Sequence, residues 1–190
     1  MISGENQGEY VEGSFGHDWK GFDAAWERAR KDGFEKEIQA TVVPYTESYE
    51  SSYYAFRPDL SSPVNPNQPP TPMSKVTFFT LKPGGMQPVV NAIKKANAAI
   101  AKTHWTGNAS YAEWYVLVNG GEVPQIVLAN GLKNWAALQD PSASLGDVLA
   151  KVYGKPGAQA ILQSFSSQVR SEYSALIRYR PDLSYIPAKQ

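Results

Sequence analysis

Tyr111, Glu113 and Tyr115 alternate along a short run, so in a strand all three side chains leave one face. Ala112, Trp114, Val116 and Val118 fill the other face, which is purely apolar and is expected to meet helices. A carboxylate flanked by phenols in a half-buried space is placed to take part in proton transfer. The same carboxylate could instead pair with an arginine across the sheet, such as Arg178. His104 falls at the end of an expected helix, where the helix dipole favours a cation. It reads either as a general base or haem ligand, or as a simple cap. Glu113, Tyr115 and His104 are therefore the candidate catalytic residues. Tyr111, Trp114, Asn119, Tyr173 and Arg178 are the candidate ligand-binding residues.

Other chemistries find little support. The second histidine, His17, has no cluster of metal ligands around it, so no metal is assigned, and no cofactor follows from the sequence. Gly13-Ser14-Phe15-Gly16-His17 lacks the glycine spacing of a nucleophile elbow. Pro83-Gly84-Gly85 lacks the Lys-Ser/Thr of a phosphate loop. There are no cysteines, hence no disulfide and no thiolate nucleophile. Formal net charge is zero and no basic face is evident, which argues against nucleic acid as a partner. No apolar run is long enough to span a membrane and no leader precedes Met1, so a cytoplasmic protein is expected. An exported form would need a leader upstream of Met1, and only then would the sequon Asn108-Ala109-Ser110 matter.

The elements that position these residues follow from a repeated phrase. Arg57-Pro58-Asp59-Leu60-Ser61 recurs as Arg180-Pro181-Asp182-Leu183-Ser184, each after an aromatic, Phe56 or Tyr179. Each phrase is expected to end a strand in a turn, with Arg and Asp pairing locally. Trp19 and Trp135, Gly4 and Gly120, and Val11 and Val127 fall opposite one another in the same order, which points to duplication. Met1 then aligns near Leu117, so the first copy is expected to lack its opening strand and helix. The expected organisation is an incomplete repeat over 1–61, a Pro-rich linker over 62–74 and a complete repeat over 75–190. The linker prolines at 63, 66, 69, 70 and 72 forbid a regular element.

Within the first copy, 1–15 reads as a hairpin, with Glu9-Tyr10-Val11-Glu12 as a strand. Asp18 is an N-cap for a helix carrying Phe22, Ala25, Trp26 and Ala29 on one face. A second helix ends before Pro44, and 48–56 reads as a closing strand. Within the second copy, 75–82 is a central strand and Met86, Val89, Val90, Ile93, Ala96 and Ile100 make a helical stripe. Lys94, Lys95 and Lys102 lie off that stripe and read as solvated. Strands over 111–118 and 123–129 flank Asn119-Gly120-Gly121. Ser144 and Asp147 form a capping-box start for a helix that faces Val148, Leu149 and Val152 inward, and a strand over 169–179 closes the chain. Trp19 and Trp135 are expected as core anchors where helices begin.

Strand, helix, strand, strand, helix, strand is the ferredoxin-like order. The fold class expected is α+β: tandem ferredoxin-like repeats, antiparallel sheets with helices on one face, the first repeat incomplete. The other sheet face is left bare, and a bare half-apolar sheet needs a partner.

The strand over 111–118, the Gly-Gly hairpin, the strand over 123–129 and the Asn134-Trp135 helix start resemble the dimeric α/β-barrel superfamily. The nearest branch is the antibiotic-biosynthesis-monooxygenase-like group with its uncharacterised relatives. The resemblance covers most of 75–185 and part of 1–61. It implies a lumen between two sheets that takes small organic molecules or haem, and chemistry that includes cofactor-free oxygenases, haem-degrading enzymes and isomerases. Monooxygenases of the group use a Trp, Tyr and Asn constellation; Trp114, Tyr115 and Asn119 supply those types here without matching it position by position. The expectation is a protein that binds a small apolar or aromatic molecule between sheets and self-associates through their faces, with oxygenase-like or isomerase-like activity. The alternative is a non-catalytic assembly protein whose sheet face is an oligomer interface.

Overall fold

The computed structural model describes residues 9–63, 70–107, 112–139 and 143–184. The chain divides into two compact units, Tyr10–Ser51 and a larger one that takes in Glu9 and the residues from Ser52 onward and carries the sheet.

The smaller unit is helical. Helix α1 (Trp19–Lys31) starts where Asp18 Oδ1 accepts the Gly21 N–H at 2.7 Å, the N-cap its sequence anticipates. Gly33 separates it from α2 (Phe34–Thr41) with φ 71°, a left-handed conformation that glycine adopts without strain. Pro44 then stops α2, leaving one 3-10 turn over Val43–Tyr45. Phe22, Ala25 and Ala29 are half-buried as their spacing requires, but Trp19 and Trp26 are exposed. Trp19 is thus not the core anchor expected. The strand expected at 9–12 is also absent, and Tyr10 and Val11 are exposed. An isolated strand has no ladder to join and does not persist in water. The remainder of that hairpin, 1–8, lies outside the described residues.

The larger unit contains β1 (Tyr53–Phe56), β2 (Met73–Leu81), α3 (Met86–Thr103), β3 (Glu113–Asn119), β4 (Gln125–Leu132), α4 (Leu145–Ser166) and β5 (Val169–Arg178). The strands form one antiparallel five-stranded sheet in the order β1-β3-β4-β2-β5. This α+β arrangement is compatible with a ferredoxin-like fold. The described residues hold a single sheet rather than one per repeat, and the one strand from the first half, β1, joins it at an edge.

Strand lengths follow their partners. β1 is shorter than the 48–56 expected because Tyr53 already pairs with Asn119, where β3 ends in the Gly120-Gly121 turn. β4 begins only after Pro124, which has no N–H to give; its carbonyl accepts from Leu81 at 2.8 Å.

One sheet face is covered. Phe79, Leu81, Trp114 and Ile126 meet Val89, Val90 and Ile93 of α3, with Phe165 of α4 packed against them. Phe165 stands edge-on to Phe79, centroids 5.1 Å apart. α3 and α4 pack on each other through Ala92 and Ala99 against Val148, Leu149, Ala158 and Ile161, small residues that let the axes approach. The capping box forms as expected, with Ser144 Oγ accepting the Asp147 N–H at 3.1 Å and Asp147 accepting the Ser144 N–H at 3.0 Å. α4 breaks at Gly154 (φ 71°), just before Pro156. Trp135 opens a 3-10 turn capped by Asn134 and is exposed, so it too is no core anchor.

Candidate functional site

The register puts one row of side chains across all five strands. Phe56 pairs with Tyr115, Tyr115 with Val127, Val127 with Phe78, and Phe78 with Tyr173. Residues directly opposite in neighbouring strands share a face, and this face is the one away from Phe79 and the helix-side core. Both helices of the unit lie on the far side, so no helix of the unit covers the row. The rings interact pairwise: Phe56 with Tyr115 at 5.4 Å between centroids, and Phe78 stacked on Tyr173 at 5.7 Å. Phe56 remains 40% exposed, whereas Phe79, one residue from Phe78 on the opposite face, is 9% exposed.

Glu113 stands on the same face, two residues before Tyr115 in β3. The Tyr115 hydroxyl donates to Glu113 Oε2 at 2.9 Å. Both residues are half-buried. Glu113 lies opposite Ala129, which lies opposite Val76 and then Ala175, so its cross-strand neighbours are apolar. A phenol that donates to a carboxylate over an apolar floor can take a proton from a bound molecule while passing its own to the carboxylate. At the other end of the face, Tyr54 donates to Gln125 Oε1 at 3.3 Å, and burial raises the Tyr54 phenol above its ordinary pKa.

The remaining sequence candidates separate. Trp114 lies on the helix face, buried in the core, as the purely apolar face of β3 anticipates. Arg178 pairs with Met73, two residues in register from Lys75 and on the Phe79 side, so Arg178 and Glu113 leave the sheet on opposite faces. Asn119 ends β3, where its Oδ1 accepts the Gly120 N–H at 2.8 Å and shapes the turn. His104 is the C-cap of α3, exposed, with φ 49°. Tyr173 joins the aromatic row. Tyr111 lies outside the described residues, as do Asn108 and Ser110 of the sequon. Sequence reasoning missed Phe56, Phe78 and Val127; the alternation Val76, Phe78, Thr80 was the available signal, but only register shows which of the two apolar faces of β2 joins Tyr115.

Among the described residues no group of three or more His, Asp or Glu side chains could hold a metal ion, and no helix is long and apolar enough to cross a membrane. Two shallow concavities, of about 500 and 560 Å³, lie over α4 and over α2, and neither is lined by a sheet residue. No protein-family model matches this sequence, and neither a curated protein nor a solved structure matches it.

Proposed function

We propose that the bare sheet face binds a small apolar or aromatic molecule, enclosed when the corresponding face of a second copy packs over it. The observation that carries this reading is the row Phe56, Tyr115, Val127, Phe78 and Tyr173, which lays apolar and largely aromatic side chains across all five strands on the uncovered side. A contiguous apolar area of this kind is characteristic of a ligand or partner site. The order β3-β4-β2-β5 with α3 and α4 on one face supports a ferredoxin-like unit of the dimeric α/β-barrel type. The shared turn phrase supports reading 1–61 as the remainder of a first repeat. In this reading Glu113 and Tyr115 act together as the proton-handling pair of an oxygenase-like or isomerase-like step, and the aromatic row orients the substrate.

A second reading, a non-catalytic assembly surface, is favoured by the ring pairs themselves, since stacked Phe78 and Tyr173 already occupy part of the face. Native mass spectrometry of the purified chain, compared with its denatured mass, separates the two. The ligand reading expects a dimer carrying extra mass that is lost on denaturation and absent from a Phe78→Lys variant. A dimer without extra mass, with added aromatic probes giving no saturable quenching of tyrosine and tryptophan fluorescence, leaves the assembly reading.

A further inference from the structure

The two copies of the repeated phrase fold into the same turn. Arg57 donates to Asp59 through two bonds of 2.8 and 2.9 Å, and Arg180 to Asp182 through two of 2.8 and 2.6 Å. The Leu60 and Leu183 N–H groups each donate to the arginine carbonyl at 3.1 Å. Ser61 Oγ and Ser184 Oγ donate to that same carbonyl at 2.8 and 2.7 Å. Each turn directly follows an edge strand, β1 or β5, at opposite ends of the sheet.

Their surroundings differ. The first turn is seated on α3 and β3. Leu60 is fully buried in the core, Lys94 Nζ reaches Asp59 Oδ2 at 3.1 Å, and Asn97 Nδ2 donates to the Leu60 carbonyl at 2.7 Å. Lys94 and Asn97 are three apart and so lie on one helix face. Beyond β1, Arg57 N–H donates to the Trp114 carbonyl and Ser62 N–H to the Ala112 carbonyl, both at 2.8 Å, continuing the pairing along β3. In the second turn Leu183 is 62% exposed, and among the described residues no strand pairs with the outer edge of β5.

From this contrast we infer that β5 and residues 180–184 form a docking plug for a strand–helix element of another polypeptide. The occupant is specified by the seat the chain already contains. It has an edge strand that pairs antiparallel with the outer edge of β5, as β3 does with β1. It has a helix that presents an amine to Asp182 and, one turn on, a carboxamide to the Leu183 carbonyl, with an apolar hollow between them for Leu183. A second copy of this chain does not qualify in its native state, because its α3 seat is filled by its own Leu60. The inference is separate from the ligand reading, which concerns the face of the sheet and not its edge.

An added seat turns the plug into a probe. The full chain is extended ahead of Met1 by a further copy of residues 73–116, which supplies an empty seat. By sedimentation velocity the parent itself should keep its assembly state with Leu183→Asp. Amide exchange over 180–184 should slow at least tenfold in the extended chain, and Ala at Lys94 and Asn97 of the added copy should restore it. Unchanged exchange in the extended chain overturns the inference. So does association of the parent that Leu183→Asp abolishes, which would make a second copy the occupant.

Discussion

Asp59 and Asp182 occupy the same place in one repeated turn, and in both the arginine two residues earlier holds the carboxyl below its ordinary range through hydrogen bonds. Asp59 is depressed further by a hydrogen bond from Lys94, which is distant in sequence and reaches it only in the folded chain. The local Arg57 contact can persist in part after unfolding, so the folded-state excess comes chiefly from Lys94 and from fixing the turn. A carboxyl whose folded pKa is depressed stabilises the fold above its unfolded value, about 4, and loses that contribution as pH falls through the folded value. The midpoint of thermal unfolding should therefore fall between pH 5 and pH 2.5, and more gently in Asp59→Asn. Equal slopes in the two proteins would show that the carboxylate does not contribute. The Arg–Asp pairing was legible in the sequence because both partners sit inside one turn phrase. Lys94 was not, and read as solvated, because its partner belongs to a segment whose docking no local pattern records. Glu113 and Tyr115 were legible as face-mates by alternation alone, whereas the opposite side chosen by Arg178 needed the β2–β5 register.

At the scale of elements, what could be read was whatever an element's own residues determine. The start of α4 is such a case, since the Ser144 hydroxyl and Asp147 carboxylate satisfy each other's N–H groups. Ser144→Ala should cost about 1 kcal/mol and lower the unfolding midpoint by a few degrees, measurable by calorimetry. Ser144→Asp, which keeps an acceptor at the cap, should recover most of the loss. The alternation of β2 and the stripe of α3 were equally visible, and Val89, Val90 and Ile93 are buried accordingly. Strand ends were not, because they depend on a neighbour: β1 stops where β3 stops, and 9–12 forms no strand despite its alternation. The tryptophans misled for a related reason. Size and position at a helix start suggested anchoring, but Trp19 and Trp135 are the first residues of a helix and of a 3-10 turn, and both face outward.

For the molecule as a whole, the two faces of the sheet are unequal in what they require. The covered face is complete within the unit, with Phe79 enclosed by Trp114 and Phe165. The other face carries comparable aromatic surface without a helix of its own unit over it. Phe78 and Phe79 are adjacent in β2 and chemically identical, so they make a controlled comparison. Phe79→Ala leaves a cavity in a packed interior and should destabilise the fold by about 3–5 kcal/mol. Phe78 is half-buried and stacks on Tyr173, and its truncation should cost about 1 kcal/mol or less. Charge sharpens the contrast: Phe78→Lys places an amine on a surface that is proposed to meet its own copy, where like charges would face each other across an apolar interface. The expected result is a folded chain with an unchanged far-ultraviolet spectrum that sediments as a monomer. Assembly that survives Phe78→Lys would place the contact elsewhere and remove the enclosing wall on which the proposed binding site depends.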